Sequence, residues 1–153
     1  MKKYIYIALA LLSSSLGFTA CGDDDEGGDS NYNIVADAGA AVAGDYNGTY
    51  TRTLNGESES ANGTITLAQA DKPYYVNVTF KAVPELKMEE TTVKANIVQK
   101  NDNLFIISNT AGTGNALGTS FRIYVENGKM QANFLLKQKV GRKEYEYTYV
   151  FAN

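Results

Sequence analysis

The chain has 153 residues, enough for one domain built round a single core, with 44% hydrophobic and 20% charged residues as in soluble globular proteins. It contains no histidine and one cysteine, which excludes an internal disulfide, a Cys/His metal cage and a His-based triad. The formal charge of −3 averages unlike segments: setting aside Lys2, Lys3 and five clustered acids leaves twelve basic and twelve acidic residues. A neutral domain has no electrostatic footprint for phosphate backbones, so nucleic acid is not an expected partner.

The N-terminus reads Met1-Lys2-Lys3, an apolar run from Ile5 to Leu12, then small residues up to Ala20 and Cys21. A positive start, a short apolar core and a small-residue cut site are the parts of a secretory signal peptide. The apolar run is too short for a stable span of a ~30 Å hydrocarbon core. An ordinary signal peptide with an incidental cysteine is the plain alternative. However, the only cysteine follows Thr19-Ala20 directly, and this resembles the lipobox of bacterial lipoproteins; Phe18 departs from the Leu usual at that position. The resemblance implies cleavage after residue 20 and acylation of Cys21, an essentially permanent anchor at ~0.8 kcal/mol per buried CH2.

Residues 21–33 then read as a lipidated cysteine followed by a flexible acidic spacer, with Asp23, Asp24, Asp25, Glu26 and Asp29 among glycines. The spaced ligands and turn glycine of a calcium loop are missing. An acidic run just behind a lipidated cysteine is similar to the signal that exports Bacteroidetes lipoproteins to the outer face of the outer membrane. The expected location is therefore the outer membrane, lipid-anchored and facing the cell exterior.

Residues 34–153 form the expected domain. Ile34 to Gly44 is Ala-rich and fits one or two helical turns. Eight runs with the period-two alternation of half-buried strands follow. They are Tyr46 to Leu54, a run centred on Ile65 and Leu67, Tyr74 to Phe80, and a run round Val93, Ala95 and Ile97. Then come Leu104 to Ser108, Phe121 to Val125, Met130 to Leu136, and Tyr145 to Phe151. Asn55-Gly56 and Asn127-Gly128 supply hairpin chemistry, since both central positions of such turns need φ > 0; Asn101-Asp102-Asn103 and Val140-Gly141 serve similarly. No connection has room for a crossover helix, so neighbours are antiparallel. The expected fold is all-β, an eight-stranded up-and-down antiparallel barrel; a two-sheet β-sandwich is the alternative. A membrane-spanning barrel fits less well, because the second faces carry Thr49, Thr51, Thr53, Lys81, Lys94, Lys137 and Glu144.

The stretch Val42-Ala43-Gly44-Asp45-Tyr46-Asn47-Gly48-Thr49-Tyr50, with Gly63-Thr64-Ile65-Thr66-Leu67 beyond it, resembles the opening of the calycin-like (lipocalin-like) domains of Bacteroidetes lipoproteins. The resemblance implies a small lipocalin-type barrel and carries over no binding residue.

Tyr46, Tyr50, Tyr74, Tyr145, Tyr147 and Tyr149 are in phase with the apolar face. Their rings are either core or the lining of a pocket for a planar or sugar ligand. Ala111 to Gly118 is glycine-rich, but its spacing is wrong for dinucleotide binding and a strand follows it. Glu57 and Glu59 are a carboxylate pair beside the first hairpin turn, where water keeps both ionised and separates no acid from base. Asn47-Gly48-Thr49, Asn62-Gly63-Thr64 and Asn77-Val78-Thr79 match a glycosylation pattern, but read as strand and turn residues. No catalytic residue, metal or cofactor is expected. The expected role is a membrane-anchored module that binds a small apolar or glycan-like ligand or a partner protein. The alternative is an accessory part of an envelope complex with no small-molecule ligand.

Overall fold

The computed structural model describes residues 32–109 and 121–153. The leader, Cys21, the acidic run and the Ala111–Gly118 loop lie outside the described residues.

Eight antiparallel strands close into one ring in sequence order: β1 (Gly44–Leu54), β2 (Glu57–Gln69), β3 (Tyr75–Phe80), β4 (Thr91–Gln99), β5 (Leu104–Asn109), β6 (Phe121–Glu126), β7 (Lys129–Val140) and β8 (Lys143–Ala152). The barrel, not the sandwich, is formed. Closure is made by β1 against β8, from Thr49 opposite Ala152 to Thr53 opposite Thr148. Carried once round the ring, the register offsets return to β1 ten residues along, a stagger that tilts strands by about 40°. The two Asn-Gly turns take positive φ at both positions, with Asn55 at 51° and Gly56 at 86°, Asn127 at 52° and Gly128 at 76°, the geometry whose twist matches the flanking strands.

Alternation decides what lies inside. Six rings from five strands pack together in the middle of the barrel. Phe134 stacks on Tyr149 at 5.0 Å, Tyr50 meets Phe151 at 4.8 Å, and Phe80 bridges Phe134 at 4.8 Å and Phe121 at 5.8 Å. Each fully buried ring contributes about 1.5–3 kcal/mol. On the outside, β1 and β2 carry a polar ladder, with Asp45 bonded to Thr66, Asn47 to Thr64, Thr49 to Asn62, Thr51 to Ser60 and Thr53 to Ser58. That wall is not the apolar band of a lipid-facing barrel.

The two ends of the barrel differ. At one end lies a short helix, α1 (Ala38–Val42), whose first turn is capped by the Asp37 carboxylate accepting from the Ala40 N–H at 2.9 Å. The segment before it is pinned by Gln99, which is only 7% exposed. The Gln99 side chain accepts from the Val35 N–H (2.9 Å) and donates to the Asn33 carbonyl (2.8 Å). The C-terminus is at this end too, where the Asn153 N–H donates to the Met130 carbonyl. At the opposite end the β3–β4 connection folds into a 3-10 turn, Pro84–Leu86, that inserts Val83, Leu86 and Met88 into the core.

Candidate functional site

The six tyrosines all belong to the inward-facing set, but the barrel does not gather them into one lining. Tyr46 and Tyr74 are at the helix end, where their hydroxyls donate to the carbonyls of Val42 (2.8 Å) and Val35 (2.6 Å) and fasten α1 and the entering segment. Tyr50 and Tyr149 are fully buried in the ring cluster. Their hydroxyls donate to the carbonyls of Thr64 (3.2 Å) and Leu86 (3.4 Å), as buried phenols require. Burial raises the pKa of Tyr46, Tyr50 and Tyr149; a neighbouring Tyr149 phenol adds to the rise at Tyr50, while Arg52 opposes it at Tyr149. Tyr145 and Tyr147 lie beyond the cluster at the plugged end, 6.5 Å apart.

That end holds a residue that was not singled out from the sequence. Arg52 shares the parity of Tyr46 and Tyr50 on β1 and is 8% exposed. Its Nη1 donates to the Leu86 carbonyl (2.6 Å) and to Gln138 Oε1 (2.9 Å), its Nη2 donates to Glu59 Oε2, and the guanidinium lies 4.6 Å from the Tyr147 ring centroid. Burial works against the charge, but the bonds to Glu59 and Tyr149 hold the pKa above its ordinary value. The Leu86 carbonyl accepts from Arg52, Gln138 and Tyr149. Side chains from three strands thus strap the 3-10 plug over the ring cluster.

Glu57 and Glu59 stand beside the first hairpin turn, as expected, and already within β2, which begins at Glu57; Leu54 pairs with Glu57 as Arg52 pairs with Glu59. Both carboxylates are therefore on the inward face at the mouth. Glu59 reaches the buried Arg52 while its own side chain stays 63% exposed. Arg52, Leu54, Asn55, Glu57, Glu59 and Tyr147 line an open recess of about 170 Å³. Among the described residues no three His, Cys, Asp or Glu side chains converge as a metal site would need. The arrangement offers a fixed cation, two carboxylates and an aromatic wall, which suits recognition by hydrogen bonding.

No family model, no curated protein and no solved structure matches the chain.

Proposed function

We propose that this protein is a lipoprotein of the calycin-like kind, anchored to the outer membrane through Cys21 and displayed on the cell exterior, where its barrel captures a ligand at the plugged end. The observation that carries this reading is the polarity of the barrel. The chain enters at the helix end, held there by Gln99, and the recess round Arg52 is at the other end of β1. Eleven residues of tilted strand span about 25 Å, so a tether leading to the helix end points the recess away from the membrane. The packed rings below the plug favour capture at the mouth over capture deep in the barrel. The chemistry of the mouth, a charge pair with no nucleophile–base couple beside it among the described residues, suits binding rather than turnover.

The test is native mass spectrometry of the full chain extracted from its own membrane. A co-purifying small molecule that is lost when Glu59 and Arg52 are both replaced supports capture at this mouth. A chain that is ligand-free, with the same spectrum before and after the replacements, overturns it.

A further inference from the structure

Resting on the reading of the barrel as a ligand-capture module, we infer that the Arg52 recess binds one neutral sugar residue, through adjacent hydroxyls bridging the Arg52 guanidinium and the carboxylates of Glu59 and Glu57. Three properties of the recess lead there.

The first is the balance of charge. The lining holds one cation and two carboxylates. A carboxylate or phosphate ligand approaching Arg52 meets Glu59, already paired with it, and Glu57 beside it. An ammonium approaching the two carboxylates meets the guanidinium. A neutral ligand rich in hydroxyls meets neither repulsion, because each hydroxyl both donates and accepts.

The second is unspent hydrogen-bonding capacity held at fixed positions. The guanidinium has five N–H groups, and Leu86, Gln138, Glu59 and Tyr149 account for at most four. Glu59 engages Arg52 through Oε2 alone. Among the described residues the Glu57 carboxylate has neither an ion pair nor a hydrogen bond. A donor and free acceptors side by side complement a pair of neighbouring hydroxyls. Arg52 is already immobilised by its partners and by the Tyr147 ring, so little ordering cost is left for binding.

The third is size and wetness. About 170 Å³ holds about six waters at ~30 Å³ each, the scale of one sugar ring. An apolar chain would need to pass the 3-10 plug and displace the stacked rings of Phe134 and Tyr149 beneath it.

The experiment is saturation-transfer NMR on the full chain in a sugar-free detergent, with glucose, galactose and mannose as neutral probes. Glucuronate, glucosamine and laurate serve as the anionic, cationic and apolar probes. The expected result is saturable binding of at least one neutral hexose with a Kd near 1 mM, weakened about tenfold by Glu57→Gln and by Glu59→Gln, with thermal unfolding confirming that both variants are folded. Glu57 is an exposed rim residue, so its variant tests the site without touching the core. The inference is overturned if a charged probe binds more tightly than every hexose, or if both variants bind hexose as the parent does. Laurate binding without hexose binding overturns the sugar assignment and leaves the capture module standing. No binding of any probe, together with a ligand-free native spectrum, overturns both.

Discussion

At the mouth of the barrel the Arg52 guanidinium lies over the Tyr147 ring, 4.6 Å from its centroid. The pair explains how an inward-facing arginine is tolerated on a strand whose other inward side chains are Tyr46, Tyr50 and Leu54. A guanidinium is weakly hydrated, planar and able to stack, while its edge donates to Leu86, Gln138 and Glu59.

Arg52→Ala is expected to destabilise the fold by about 2–3 kcal/mol. The larger penalty for orphaning a buried partner does not apply, because Glu59 is mostly exposed and returns to water, and Leu86 keeps two other donors. Arg52→Lys should restore less than half of the loss, since an ammonium lacks the planar fork. Urea unfolding of the three proteins measures this; a loss for Arg52→Ala below about 0.5 kcal/mol contradicts the strap.

Gly63→Ala is expected to cost about 1–3 kcal/mol. Gly63 pairs with Gly48 across β1 and β2, and a Cβ at Gly63 would stand 2.6 Å from the Tyr50 ring and 2.8 Å from Val83. Both neighbours are buried in the core and cannot retreat. Thermal unfolding reads the loss, and a variant as stable as the parent would show that the space is there.

Alkaline pH should unfold the protein from the inside. Tyr46, Tyr50 and Tyr149 have pKa values raised above 10.0 by burial. In the unfolded chain these phenols ionise near pH 10, whereas the folded chain keeps them protonated. Their contribution to stability is therefore complete below about pH 10 and is lost as pH rises through their folded values. Ultraviolet titration should find three phenols that ionise late and together with unfolding. Smooth titration of every tyrosine near pH 10 in a folded protein would contradict their burial.

The fold was legible because each strand advertises itself twice, by alternation and by the turn that ends it. Tyr75–Phe80 and Phe121–Glu126 needed only their own pattern, and Asn127-Gly128 fixed the register of the β6–β7 hairpin. The mouth was harder to read. Glu57 and Glu59 carry no apolar partner in alternation, so β2 is recognisable only from its distal half round Ile65 and Leu67, although it begins at Glu57. The plug is a 3-10 turn of three residues, too short to have a period; only Pro84 marks it. Arg52 was the available signal, a charged residue in phase with two tyrosines, and parity alone puts it indoors. The division of the tyrosines between two ends and a core depends on where along each strand the barrel closes, which no local pattern encodes.

The proposed lipid anchor predicts that Cys21→Ser moves the protein from the membrane fraction to the soluble fraction or leaves it as an uncleaved precursor. Metabolic labelling with palmitate should be lost with it. Retained label in the variant would place the anchor elsewhere.

The central claim is that the Arg52 mouth faces outward from the cell, and the most direct measurement uses the scarcity of cysteine. Cys21 is the only one in the chain, and the proposed acylation would consume its thiol. A single Arg142→Cys variant therefore reports on the β7–β8 turn, which is exposed at the mouth end of the barrel. A membrane-impermeant maleimide added to intact cells is expected to label it as fully as it does after lysis. Labelling that occurs only after lysis would contradict outward display.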